Sequence, residues 1–429
     1  MYKALTIAGS DSGGGAGIQT DLKTFTALGV YGTSVITALT AQNTLGVHGI
    51  HTVPEDFIAR QLEAVLSDIP VQAAKTGMLG DSATISVVAE MLTKYRILNL
   101  VVDPVMIAQS GDRLLQEDSV DVLRNKLLPL SLIATPNLPE AGFLLDREIT
   151  NVSEMETAAK EIRLLGPRCV LVKGGHLPGE EMVDVFYDGN SYHHLTAKKI
   201  DTKNTHGTGC TYAAAITAHL ARGLTPLEAV QLAKHFITDA ISHGICVGAG
   251  YGPTNPIGSL LRELETSRVI EGLRTVLEQL MQSPGVSNLL AEGETNLFYA
   301  LEDAITLSDI ASYSAPLLRS QGKIEALGAP VFDSAHPVAP ILLAARQTNS
   351  RIRLMINLRF SEEIIAAAQA MDWSIVEFTE TPLFNSSDIP SILYDRGTSD
   401  RPPQIFLFAS TPTDLADKTA TLARCFRGC

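Results

Sequence analysis

Between residues 1 and 260 the chain alternates short apolar runs with longer segments of helical spacing, and that alternation leaves few architectures open. The runs Leu98–Asp103, Leu132–Thr135 and Cys169–Lys173 are rich in apolar side chains, and turn chemistry follows each. A strand that is apolar on both faces must be covered on both faces, which is the situation of a parallel sheet between helical layers. Asp56–Asp68 and Glu154–Leu165 carry the helical patterns between such runs. Thr225-Pro-Leu-Glu228 opens a further helix, with Thr as N-cap, Pro at the first helical position and Glu completing a capping box. A polar hairpin is predicted over Val183–Ile200, turning at Asp188-Gly-Asn. The fold class expected is α/β, a mainly parallel sheet layered by helices, with ligand loops at the carboxyl ends of its strands.

The stretch Gly248–Gly258 holds four Gly and two Pro in eleven residues and closes that domain. A helical segment from Leu260 to Met281 leads through Gln282-Ser-Pro-Gly285 into different material. There, from about residue 287, the order expected is helix, turn, helix, strand; Ile352–Leu358, Trp373–Phe378 and Ile405–Phe408 read as strands, Ser361-Glu-Glu opens a helix, and Asp414–Cys425 reads as a closing one. The expected organisation is a domain over 1–262, a helical connector over 263–286 and a smaller α/β domain over 287–429. Two domains also suit a chain of 429 residues.

With 45% hydrophobic and 19% charged residues the chain can bury sizeable cores, which excludes a largely disordered protein. A net charge of −14 argues against broad binding to nucleic acid or anionic membrane, yet leaves room for small phosphate ligands in a local positive pocket. The five cysteines form no CxxC pair, which speaks against a disulfide framework or a structural zinc site. The chain reaches Gly9 and Ser10 too soon for a signal peptide, and no apolar run is long enough to span a membrane. A soluble, cytoplasmic protein is expected.

Two glycine clusters carry the chemistry. Gly9-Ser-Asp-Ser-Gly-Gly-Gly-Ala-Gly17 follows the first strand and enters a helix at about Asp21. It lets backbone N–H groups approach a ligand closely, or it makes a tight strand-to-helix turn. Asn204-Thr-His-Gly-Thr-Gly-Cys210 runs into a helix over Tyr212–Arg222 and presents free N–H donors to an anion, aided by the helix dipole. Cys210 stands where a thiol pKa is lowered, which suits a base or nucleophile; a small buried space-filler is the alternative. His206 reads as structural.

Six segments in order carry a resemblance: Gly9–Gly17, Lys75-Thr-Gly-Met-Leu79, Val102-Asp-Pro-Val-Met106, Thr135-Pro-Asn137 with Glu140, Lys173-Gly-Gly-His176 and Asn204–Cys210. Together they closely resemble hydroxymethylpyrimidine/phosphomethylpyrimidine kinase of thiamine biosynthesis, a ribokinase-like enzyme. The resemblance implies MgATP-dependent phosphorylation of 4-amino-5-hydroxymethyl-2-methylpyrimidine, then of its monophosphate. It places Cys210 as the base, the N–H groups of Gly207, Thr208, Gly209 and Cys210 as the anion hole, and Lys173 on the ATP phosphates. Asn137 and Thr208 join the ATP site, and Asp103 and Glu140 hold Mg²⁺, although either carboxylate also suits a helix cap. Gly9, Asp11, Gln42, Met78 and Val105 take the pyrimidine, Gln42 with its amide edge; Met78 and Val105 suit plain core as well. Relatives of this kinase are commonly homodimers, and pyridoxal kinase is the nearest rival within the fold.

Residues 287–429 more weakly resemble the thiamine-phosphate synthase domain often fused to that kinase, through Gly293–Ala300, Ser334-Ala-His336, Asn357-Leu-Arg-Phe-Ser361 and Ile392–Gly397. That domain condenses the pyrimidine diphosphate with hydroxyethylthiazole phosphate, and Ser334, His336, Asn357 and Arg359 become its candidate site residues. This chain departs from the pattern. Ser314-Ala315-Pro316 replaces a Gly-Arg-Ile, Pro340 stands where an Arg commonly follows the His, and Ser399-Asp-Arg-Pro402 replaces a Gly-Lys-Glu-Pro. Pyrophosphate release needs cations, and Arg359, Arg396 and Arg401 are those that remain. The half reads either as a synthase with rearranged cations or as a degenerate module that binds thiamine intermediates or regulates the kinase.

Overall fold

The structure is a computed structural model and describes all residues except 108–110, 112–113, 117–118, 176, 333–335, 379–388, 398–401 and 428–429. The chain folds as two units, Met1–Leu260 and Leu261–Cys429.

The strands of the first unit are β1 (Lys3–Ser10), β2 (Tyr31–Asn43), β3 (Gly46–Thr52), β4 (Ala73–Thr76), β5 (Leu100–Val102), β6 (Ile133–Ala134), β7 (Cys169–Val172), β8 (Glu181–Tyr187) and β9 (Tyr192–Lys198). Its helices are α1 (Gly17–Ala27), α2 (Glu55–Leu66), α3 (Ser82–Lys94), α4 (Ser119–Val122), α5 (Leu138–Leu145), α6 (Val152–Arg163), α7 (Thr208–Ala221) and α8 (Pro226–Ser242). The strands form one sheet in the order β3-β2-β1-β4-β5-β6-β7-β8-β9. From β2 through β7 every pairing is parallel, while β3, β8 and β9 join antiparallel at the edges.

Alternation along each strand sorts the core into two layers. Leu5, Ile7, Leu100, Val102, Val170 and Val172 face α2, α3, α5 and α6. Ala4, Val101, Ile133 and Leu171 face α1, α7 and α8. The central strands therefore read as continuous apolar runs because both of their faces are covered. The Thr225–Glu228 capping box forms as read, with the Glu228 carboxylate accepting from Thr225 N–H at 2.9 Å.

Both glycine-led helices begin earlier than their apolar patterns suggest. α1 starts at Gly17 rather than near Asp21, and α7 starts at Thr208 rather than at Tyr212. The glycines themselves form the first turns. Gly17 (φ +56°) and Gly207 (φ +78°) lie in the left-handed region, and a Cβ at either would fall within 2.4 Å of a backbone oxygen.

In the second unit, α9 (Gly258–Gln282) leads into β10 (Leu297–Ala300), β11 (Ile310–Tyr313), β12 (Leu317–Ser320), β13 (Lys323–Ala326) and β14 (Pro330–Val331). Next come α10 (Ala339–Thr348), β15 (Leu354–Arg359), α11 (Glu362–Gln369), β16 (Ile375–Glu377), β17 (Ile392–Asp395), β18 (Gln404–Ala409) and α12 (Pro412–Arg427). Seven strands form a mixed sheet in the order β14-β11-β10-β15-β18-β17-β16, beside a separate β12–β13 hairpin. The segment read as a helical connector packs into the second unit's core. Val269, Leu273, Val276 and Leu280 of α9 are buried with Leu297, Leu354, Ile356 and Leu407 of the sheet. The helix and turn expected after residue 287 are corrected to the strands β10–β14, and only the second expected helix, α10, forms; strands of four residues or fewer, β17 included, are fixed by the strands they pair with rather than by a period of their own.

Under the first unit's loops lies a fully buried ion pair. Lys75 Nζ on β4 donates to both Asp21 oxygens on α1, at 2.8 and 3.0 Å, and Thr6 Oγ1 adds a third hydrogen bond at 2.6 Å. Lys75→Met leaves Asp21 charged and unpaired in the core and is expected to cost about 3–5 kcal/mol. Asp21→Leu/Lys75→Met removes both charges and should regain most of that loss; thermal unfolding of the two variants checks the difference.

Candidate active site

The loops leaving β1, β4, β5, β6 and β7 meet over the carboxyl edge of the sheet, where open α/β folds bind ligands. They enclose, with the start of α7, a cavity of about 150 Å³. All of the residues singled out in the first unit line it: Gly9, Asp11 and Gln42; Met78, Asp103 and Val105; Asn137, Glu140 and Lys173; and Gly207, Thr208, Gly209 and Cys210. Two more voluminous depressions, around Leu232 and around Phe143, are shallower and bring none of these residues together.

Asp11 shapes the first loop. One carboxylate oxygen accepts from Gly13 N–H at 2.8 Å; the other accepts from Gly15 and Ala16 N–H at 3.0 and 2.8 Å and from His206 Nε2 at 2.8 Å. Burial opposes the charge, but His206 and the loop amides outweigh it and hold the carboxyl below its usual range. Asp11 reaches the cavity wall with its carboxylate already committed to the loop. A carboxylate only accepts, so His206 Nε2 carries the proton in this contact. The Gln42 amide nitrogen, 3.4 Å from that same atom, therefore does not donate to it, and Gln42 Oε1 accepts from Thr40 Oγ1 at 3.2 Å. Met78 and Val105 stand on the same wall, joined by Ile107 and Leu114.

At the other end, Lys173 Nζ donates to Asp103 Oδ1 at 2.8 Å, and Thr135 Oγ1 adds a hydrogen bond to that oxygen at 3.1 Å. The same ammonium lies 3.3 Å from where a Cβ on Gly209 would stand, which sets it over the first turn of α7. Burial would lower the Lys173 pKa, but Asp103 and Glu140 overcome it and keep the side chain cationic. Asn137 caps α5 by accepting from Glu140 N–H at 2.9 Å, and the Glu140 carboxylate returns the bond to Asn137 N–H at 2.8 Å. Glu140 is thus a capping carboxylate and a cavity residue at once. Burial, opposed by Lys173 and reinforced by Asp103, pushes it up to about 7.

The first intrahelical bond of α7 runs from Thr211 N–H to Gly207 C=O at 2.9 Å, so the N–H groups of Gly209 and Cys210 precede the helical ladder. They form a ready anion site. The expected low thiol pKa is not what the structure holds, however. Burial pushes the Cys210 thiol up to about 11, with Lys75 opposing and Asp21 and Asp103 reinforcing. The helix terminus does not offset desolvation in so enclosed a position.

The described residues contain no cluster of three or more His, Cys, Asp or Glu able to hold a metal. Asp103 and Glu140 are a pair, and a pair suits a hard cation that keeps waters and phosphate oxygens as its other ligands.

With this geometry in place, the comparisons are decisive for the family. The model of phosphomethylpyrimidine kinase matches residues 11–255. The chain belongs to the phosphomethylpyrimidine kinase family. A second model, thiamine-phosphate synthase ThiN, matches residues 272–421. The hydroxymethylpyrimidine/phosphomethylpyrimidine kinase of Bacillus subtilis is 45% identical over 269 residues, which is 62% of this chain and 99% of that protein. The thiamine biosynthesis bifunctional protein ThiED of Geobacter sulfurreducens is 53% identical over 253 residues, 59% of this chain and only about half (52%) of its own length. Among solved structures, a Bacillus subtilis pyridoxal kinase in an ADP complex superposes with a TM-score of 0.58 at 42% identity, covering 61% of this chain and 99% of that one.

Reading the sequence did not single out Lys75–Asp21, the bracing role of Asp11, or His206 as the link between the two glycine loops. The signal for Lys75 was a charged residue directly after Ala73 and Ala74 in a short strand; Asp21, between Thr20 and Leu22 with Lys23 beyond, carried none.

The second unit assembles its candidates only partly. Asn357, fully buried, accepts from Asn296 N–H at 2.7 Å and donates to Glu294 C=O at 2.8 Å and Gln404 Oε1 at 3.0 Å. His336 meets Phe298 edge-on at 5.1 Å; burial lowers its pKa, and Glu294 opposes that. Arg359 is turned elsewhere, donating to Asn288 C=O at 2.5 Å and lying over Phe426 at 5.3 Å. Arg396 is engaged by Glu362 and Glu377 at 2.5 and 3.1 Å. Ser334, Arg401 and, in the first unit, His176 lie outside the described residues.

The raised thiol gives a direct test. Iodoacetamide should alkylate exposed Cys246 well before Cys210, and the Cys210 rate should keep climbing between about pH 9 and 11, followed by peptide mass spectrometry. Rapid Cys210 labelling already saturated at pH 7 would contradict the assigned burial effect.

Proposed function

We propose that the first unit transfers the γ-phosphoryl group of MgATP to the hydroxymethyl oxygen of 4-amino-5-hydroxymethyl-2-methylpyrimidine, and then phosphorylates the monophosphate to the diphosphate. The observation that carries this reading is the convergence of two glycine loops, with Lys173 held by Asp103 directly over the first turn of α7. Such an arrangement offers N–H donors and a cation to a migrating phosphoryl group and little else, which is what phosphoryl transfer asks of a protein. The ADP complex of the pyridoxal kinase relative supports the use of a nucleotide.

In this reading the Gly209 and Cys210 amides and Lys173 hold the terminal phosphates. Asp103 and Glu140 would hold Mg²⁺, which would supply charge neutralisation to the phosphates. Gln42 offers its amide N–H groups to a ring nitrogen, and Met78 and Val105 close on the ring faces. Cys210 accepts the hydroxyl proton. It does so as the thiolate, after releasing its own proton to solvent; with the thiol pushed up to about 11 that form is the minor one near neutral pH and grows as pH rises. The chain works as a homodimer in the cytoplasm.

For the second unit we propose a module that binds thiamine intermediates without an efficient synthase reaction. The observation that favours it is the engagement of Arg359 and Arg396 by their own neighbours, which leaves neither cation poised for a pyrophosphate leaving group.

One incubation tests both halves: hydroxymethylpyrimidine, MgATP and hydroxyethylthiazole phosphate with the full chain, and mass spectrometry of every product. Pyrimidine mono- and diphosphate without thiamine phosphate is the expected result. Thiamine phosphate would overturn the reading of the second unit, and absence of any phosphorylated pyrimidine would overturn that of the first.

A further inference from the structure

Asp184 is a buried carboxylate that the proposed chemistry does not touch. It sits in β8, 3% exposed, and joins three elements around the exit of β7. One oxygen accepts from Gly174 N–H at 2.9 Å, and the other accepts from Lys234 Nζ of α8 at 2.7 Å. The Tyr212 hydroxyl of α7 is buried with no well-formed hydrogen bond among the described residues; burial first, and then the Asp184 charge, suppress its ionisation. Gly174 follows Lys173 directly. A Cβ at Gly174 would fall 1.9 Å from Val183 C=O, so the loop and β8 touch backbone to backbone. On the opposite side Lys173 N–H donates to Pro136 C=O at 2.9 Å.

A buried Asp–Lys pair gains a fold little over an apolar pair of equal volume. This one is placed where it can do something else. A lysine side chain is long and flexible, so the place of its ammonium depends on how firmly its backbone is held, and an error of about 1 Å at a reacting group can cost on the order of 10²-fold in rate. We propose that Asp184, balanced by Lys234, is a positioning residue: by holding the Gly174 amide it fixes the backbone of Lys173 so that the ammonium stays over the first turn of α7, where the terminal phosphates of the nucleotide are bound. This rests on the kinase reading above.

Two double variants separate the anchor from the charges. Asp184→Asn/Lys234→Met removes both charges but keeps an oxygen for the Gly174 N–H, whereas Asp184→Leu/Lys234→Met removes that oxygen as well. Calorimetric titration of each full-length variant with the Mg²⁺ complex of the β,γ-imido analogue of ATP reads the effect, with thermal unfolding to confirm the fold. The Leu/Met variant should bind the analogue at least about tenfold more weakly, while its KM for the pyrimidine stays within about twofold, and the Asn/Met variant should stay within about threefold of wild type in both. Equal losses in the two variants, or unchanged binding in the Leu/Met variant, would overturn the anchor. Hydrogen exchange at the Gly174 amide of the wild-type chain decides the matter if the Leu/Met variant does not fold: protection like that of β7 supports the anchor, and exchange at the rate of an open loop overturns it. Wild-type chain that binds no analogue would instead bring down the kinase reading on which the anchor rests.

Discussion

The Asp11 carboxylate accepts four hydrogen bonds, three from N–H groups of its own loop and one from His206 in the loop that opens α7. A loop so rich in glycine has no preferred shape, and its ordering costs more backbone entropy than that of any other sequence of its length. A single buried anion that collects its amides supplies the shape. Because the fourth bond crosses to the second glycine loop, the same carboxylate sets the distance between the two helix starts. Gly207 then has to be glycine, since its Cβ would fall 1.9 Å from Gly15 C=O. The two glycine loops are in this way parts of one construction.

That closeness has an electrostatic consequence. Lys75, Asp21, Asp103, Lys173, Glu140 and Cys210 share a small, poorly hydrated volume at the carboxyl edge of the sheet, and each perturbs its neighbours. Lysines stay cationic there because carboxylates surround them, while Glu140 and Cys210 are driven toward their neutral forms. The ligand-free site is therefore arranged to receive negative charge. Such a local arrangement is compatible with a chain whose net charge is −14, because the buried lysines set the potential at that edge.

Much of this was legible in the sequence. Continuous apolar runs announced parallel strands, because burial on both faces leaves no polar alternation, and Thr225–Glu228 announced a capped helix because its side chains act locally. The residues of the cleft were legible as motifs. What the sequence hid was relational. Nothing local shows that Asp11 would spend its carboxylate on its own loop, that Lys75 and Asp21 would pair across 54 positions, or that Cys210 would be desolvated enough to lose the benefit of its helix terminus. The short strands β10–β14 were hidden for a different reason: four residues are too few to set a period, and their pairing is fixed only by the sheet they join.

In the proposed reaction, transfer takes place at the first turn of α7, against Cys210. Titration calorimetry and single-turnover transfer of a labelled γ-phosphoryl group, measured on wild type and Cys210→Ala side by side, test it most directly. The variant is expected to bind the pyrimidine within about threefold of wild type while the transfer rate falls at least about 10²-fold, the usual worth of a positioned proton acceptor. Transfer at the wild-type rate in Cys210→Ala would contradict it.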